Sequence, residues 1–80
     1  MQTDHFVQTF KRQGKKLVAS QPERCRDEIQ AKKRGQKAAE HAAGVLVFSV
    51  SGEPEFNEFE PPVVLAQWGE IPPSAIGSTR

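Results

Sequence analysis

The 80-residue chain is short of reactive and apolar material: one cysteine, one methionine, one tryptophan and no tyrosine. No apolar run exceeds the four residues of Val45–Phe48. Each shortage excludes something. Cys25 alone can neither close an internal disulfide nor share a metal with a second thiol. A four-residue run is far below the roughly 20 needed for a membrane-spanning helix. The N-terminus lacks a basic region followed by an apolar stretch, so no secretory signal is expected. His5 and His41 are the only histidines, and no H-x-x-x-H, H-E-x-x-H or C-x-x-C spacing exists. A metal site needs more ligands at short spacing, so neither metal nor cofactor is expected. A reduced, soluble, cytoplasmic protein is the simplest expectation.

What is present suits one small domain. Splitting 80 residues into two cores would leave about forty each, below the usual limit for unassisted folding. The net charge of +1 conceals an asymmetry. Residues 1–44 hold ten Lys/Arg against five Asp/Glu, while residues 45–80 hold one against five. Such a split implies either an internal electrostatic match or two separate contact surfaces.

The element signals run in sequence. His5–Phe10 is rich in aromatic and β-branched residues and reads as a strand, with its Phe6/Gln8/Phe10 face toward the core. The polar Lys11–Lys16 segment, centred on Gly14, reads as a loop, and Leu17–Ala19 as the second strand of a hairpin. A helix then begins between Pro22 and Asp27. Ser20-Gln21-Pro22-Glu23 has capping-box spacing; a later start near Arg26 would leave Gln21–Cys25 to finish the second strand. Ala42-Ala43-Gly44 reads as the helix stop, with Gly44 in the left-handed cap.

Ala31, Gly35, Ala38 and Ala42 share one helical stripe. Such small residues permit close approach but contribute little buried area, so a facing sheet must supply the bulk. Ile29 lies off the stripe. Val45–Val50 is the strongest strand signal, apolar on both faces and therefore central. Val63–Trp68 is the fourth strand. Val45, Val47, Val63 and Leu65 are candidates for the sheet face away from the helix, through which a homodimer could form. The expected fold is α+β: a two-layer ββαββ domain over residues 1–71, with a four-stranded, mostly antiparallel sheet and one helix on one face. Residues 72–80 are expected to form a flexible tail.

The ββαββ order, the alanine-rich helix end at Gly44 and the strand Val45–Val50 resemble small bacterial domains of unknown function. The resemblance spans about residues 5–71, rests on Ala38–Val50 and Pro62–Pro72, and carries no functional residue with it.

Three chemistries remain to be weighed. Cys25, between Arg24 and Arg26, is the only candidate nucleophile, but a free cysteine is more often a small buried residue. The glutamates of residues 53–60 lack the fixed, buried pairing that carboxylate catalysis needs, so no catalytic residue is expected. Lys11, Arg12, Lys15 and Lys16 in the hairpin loop, with Lys33, Arg34 and Lys37 on the helix, could contact nucleic-acid phosphates. Against that stand a net charge near zero and the lack of any recognised nucleic-acid motif.

Phe56 and Phe59 interrupt the acidic connection. They either fold back onto a core that needs large side chains or form an acid-rimmed aromatic contact pair. Trp68 could cover the same corner. The expected function is a non-catalytic protein-interaction module that can self-associate through its open sheet face or an edge strand, with Phe56, Phe59 and Trp68 as contact residues. Nucleic-acid binding is the alternative.

Overall fold

The computed structural model describes residues 1–72, and these form one helix and a curled antiparallel sheet. The strands are β1 (Gln2–Gln13), β2 (Lys16–Ala19), β3 (Glu23–Cys25), β4 (Gly44–Glu53), β5 (Glu58–Phe59) and β6 (Val63–Gly69), with α1 spanning Glu28–Ala38. The expected α+β class and single helix are observed. The sheet, however, has six strands rather than four. They lie in four lanes: β2 and β3 pair with successive parts of one side of β1, β4 pairs with its other side, and β6 and β5 pair with successive parts of β4. All five pairings are antiparallel.

Each outer lane breaks where the chain cannot continue a ladder. Ser20 ends β2 by donating its N–H to the Thr9 carbonyl at 2.8 Å and accepting the Thr9 N–H on Oγ at 3.0 Å. Pro22 then has no N–H to offer. The Ser20 hydroxyl is thereby used in the sheet and not as a helix cap. On the other lane, Pro61 and Pro62 separate β5 from β6. The first hairpin is tighter than expected: Gln13 faces Lys16 across the two-residue loop Gly14-Lys15. Gly14 at φ 62° supplies the positive φ that such a loop takes at its first position.

The helix starts at the later of its two candidate positions. Asp27 is the N-cap, its Oδ1 accepting the Gln30 N–H at 2.8 Å, and the Gln30 side chain accepts the Arg26 N–H at 2.6 Å. The two bonds satisfy two donors at the helix entrance, as in a capping box except that the Gln30 side chain reaches the residue before the cap. The C-terminal expectation was wrong. The regular helix stops at Ala38 with Ala39 as a right-handed cap; residues 39–43 continue as turns, and Gly44 opens β4. Gly44 is needed there for space, because the carbonyl of Glu70 occupies the position of its missing Cβ.

The helix covers the sheet face opposite to the one expected. Val7, Val45 and Val47 face it, and together with Cys25 and Ala31 they form the buried cluster. Val45 and Val47 are fully buried, not candidates for an open face. Leu65 is half-buried against the same cluster, whereas Val63 remains exposed. The reason is steric. A Cβ on Gly35 would lie 2.6 Å from Val47 Cγ2 and 2.7 Å from Trp68 Cζ3. Only compact valines and one flat indole fit beneath so close a helix; a row of phenylalanines would hold it off.

Phe6, Phe10, Leu46 and Phe48 therefore occupy the helix-free face. Phe6 and Phe48 stack with ring centroids 5.4 Å apart. Phe10 and Leu46 are nonetheless almost fully buried. Gly69 at φ 69° turns the chain over Gly44 on that side, Glu70 reaches Arg12, and Ile71 and Pro72 are half-buried. The expected tail begins at Pro72; its remaining residues, 73–80, lie outside the described part. Among the described residues no helix is long and apolar enough to cross a membrane.

Candidate interaction surfaces

The antiparallel layout separates the charges along β1. Its first residues pair with the end of β4 at Gly52, next to the acidic connection, and its last residues form the basic hairpin. Eleven strand steps, roughly 36 Å, lie between them. The acidic loop and the basic hairpin thus lie at opposite ends of β1.

At the acidic end, β4 finishes at Glu53 and Pro54–Phe56 form a single 3₁₀ turn. Asn57 adopts φ 56°, and its N–H donates to the Pro54 carbonyl at 3.1 Å. This left-handed residue reverses the chain so that β5 can pair with Gly52 and Glu53, and the Glu60 N–H closes the loop on the Ser51 carbonyl at 2.8 Å. The ring of Phe59 lies over Gly52, where a Cβ would come within 2.6 Å of Phe59 Cδ1. Phe56 and Phe59 do not fold back onto the core. They are 69% and 56% exposed on a backbone held by these hydrogen bonds. Every large apolar side chain that the core uses comes instead from β1, β4 and β6. A shallow recess beside Phe59 is bounded by Met1, Gly52, Glu53, Glu58 and Glu60. Glu53 pairs with the N-terminal ammonium at 3.3 Å. Glu55, Glu58 and Glu60 make no ion pair among the described residues.

Trp68 is not part of this end. It pairs with Val45 at the opposite end of β6, half-buried with its ring beneath Gly35. The structure leaves Phe56 and Phe59 exposed on one loop and puts Trp68 in the helix–sheet contact.

The seven basic candidates divide by what they already bind. Arg12 makes a bidentate pair with Glu70, Nε to Oε1 at 2.8 Å and Nη2 to Oε2 at 3.0 Å. That hydrogen bonding raises the guanidinium pKa and holds the Glu70 carboxyl below its usual range. Arg34 pairs with Glu23. Lys11, Lys15 and Lys16 are exposed at the hairpin, and Lys33 and Lys37 flank a shallow depression on the outer helix face with Gln36 and Glu40. These five lysines make no ion pair among the described residues.

Cys25 is buried, and burial raises its thiol pKa, against a smaller lowering by Arg34. Its flanking arginines turn to carboxylates, Arg24 to Asp4 at 2.8 Å and Arg26 to Asp27 at 3.3 Å. Among the described residues no three His, Cys, Asp or Glu side chains form a group able to hold a metal ion.

Two features escaped the sequence reading. The left-handed Asn57 that aims the phenylalanines was legible as an asparagine between two aromatic residues, a type that tolerates positive φ. The seven-residue edge strand β6 depends on lane order, which no local signal carries. Comparisons with known proteins add no relative: no family model matches the chain, and neither a curated protein nor a solved structure matches it.

Proposed function

We propose that the protein is a non-catalytic interaction module whose contact surface is the acidic end, with Phe56 and Phe59 as apolar anchors and Glu55, Glu58 and Glu60 as a charged rim. The observation that carries this reading is the exposure of two phenylalanines on a hydrogen-bonded, left-handed turn. Aromatic anchors surrounded by polar groups are what concentrates binding energy at interfaces. A turn already held in place loses little conformational freedom on binding. The rim favours a partner surface that is basic around an apolar centre. The buried thiol at Cys25, with its raised pKa, supports the non-catalytic part of the reading. The same unpaired thiol is consistent with a reducing, cytoplasmic setting. The resemblance to small bacterial ββαββ domains adds only element order.

The test compares immobilised wild-type protein with the Phe56→Ser/Phe59→Ser double variant. The expected result is an unchanged far-ultraviolet circular dichroism spectrum, together with loss of proteins that the wild type retains and that elute with salt. Equal retention by both proteins would overturn the reading. Thiol alkylation adds a check: Cys25 should react only after unfolding, and rapid native-state reaction would reopen an enzymatic role.

Nucleic-acid binding is the second reading, favoured by the five unpaired lysines. It is weakened by Arg12 and Arg34, the two best phosphate ligands of the set, which already hold carboxylates. Titration with labelled duplex at two salt concentrations tests it: flat, weak signals at both would end this alternative, and steep salt dependence would restore it.

A further inference from the structure

The sheet has two outer lanes, each interrupted by proline, but their longer strands differ. On one, β2 and β3 are separate strands of four and three residues, broken at Ser20–Pro22, and they carry Lys16, Glu23 and Arg24. Short strands, proline and charge are the devices that keep a sheet edge from pairing with another chain. On the other, β6 runs seven residues, Val63–Gly69, without a charged side chain. Val63 is 57% and Val64 38% exposed. Among the described residues no strand pairs with the outer side of β6. Its protections are the two prolines before it and a bulge opposite Val47/Phe48, which twists the strand without interrupting it.

We propose that β6 is the seam of a homodimer, in which it pairs antiparallel with β6 of a second copy about a twofold axis. Such a contact is self-complementary and closes at two subunits. The charge layout selects both the occupant and the direction. β6 begins beside Glu58 and Glu60 and ends at Gly69, next to Glu70, whose carboxylate Arg12 neutralises, and level with the root of the hairpin that carries Lys11, Lys15 and Lys16. Antiparallel pairing therefore sets the acidic end of each copy alongside the hairpin end of the other, about three strand spacings or roughly 14 Å from β1. A parallel arrangement would place the two acidic ends side by side. The Debye length is about 10 Å at 0.1 M salt and about 30 Å at 0.01 M, so this field orients the encounter at low ionic strength, while backbone hydrogen bonds and the covered valines hold the seam. The proposal uses residues other than Phe56 and Phe59 and stands apart from the reading given to them.

Sedimentation equilibrium of the full chain over a wide concentration range tests it. The expected result is a reversible rise from the 8.9 kDa monomer to twice that mass, and no further. The double variant Val63→Lys/Gln67→Lys places charge at two exposed positions and should stay monomeric with an unchanged circular dichroism spectrum. Should that variant not fold, hydrogen exchange on the wild type gives the same decision: β6 amides should gain protection at high concentration, and β2 and β3 amides should not. A monomer throughout, growth beyond two subunits, or a dimer whose β6 amides gain no protection would each overturn the seam. The Phe56→Ser/Phe59→Ser variant should still dimerise; loss of the dimer there would transfer self-association to the acidic end and refute β6.

Discussion

The helix-covered centre of the sheet and the proline-bounded segment Pro54–Pro62 obey different physics within one small chain. In the centre, position decides everything. Val45 and Val47 are fully buried, and Gly35 leaves no room for a single added carbon. Around Pro54–Pro62 backbone hydrogen bonds hold a loop whose two largest side chains face water. Order in the centre comes from packing and order at the acidic end comes from backbone geometry. The same residue type, phenylalanine, is structural at Phe10 and free at Phe56.

The sharpest way to break this contrast is Phe10→Ala. Phe10 is 1% exposed, and truncating a buried phenylalanine should cost about 4 kcal/mol, enough to unfold much of a domain this small in a denaturant titration. Gly35→Ala comes next. Overpacking against Val47 and Trp68 should cost about 3 kcal/mol, partly offset by about 1 kcal/mol of better helix propensity. A lowered melting temperature with a weakened Trp68 tertiary signal is the outcome to look for; a gain in stability would mean that the helix sits farther from the sheet.

The third prediction concerns pH. The Gln30 N–H holds the Asp27 carboxyl below its usual pKa, helped by Arg26 and opposed by desolvation. A carboxylate with a lowered folded-state pKa stabilises the fold above its unfolded pKa and loses that contribution as pH falls through the folded value. Helix unfolding on acidification should therefore show an Asp27-linked component below the ordinary carboxylate range. Asp27→Asn, which keeps a capping acceptor, should lack that component. The smallest effect is expected from Phe56→Ser/Phe59→Ser, which should change stability by no more than about 0.5 kcal/mol. A larger loss in thermal melts would erase the distinction between the two regions.

Much of the fold was readable because its signals are local. The β-branched runs at Val45–Val50 and Val63–Trp68, the glycine of the first turn and the small-residue helical stripe all report their own backbone states. What failed was relational. Alternation along β1 and β4 identifies two apolar faces but cannot say which one meets the helix, since phenylalanine and valine are equally excluded from water. The choice fell to the side chains short enough to lie beneath Gly35. In the acidic segment two outcomes stayed open for a similar reason: hydrophobicity argues for burial of Phe56 and Phe59, while the turn at Asn57 directs them outward.

The order of the chain alone determined the number of helices, the class of the fold and the separation of basic from acidic residues, because those follow from short-range backbone preference and composition. Tertiary structure alone decided which valines are core, that Arg12 and Arg34 are neutralised by distant glutamates, and that an uncharged strand lies at an edge. Each of these depends on which lanes become neighbours, and contacts across 58 positions, as between Arg12 and Glu70, leave no periodicity in the chain to be read.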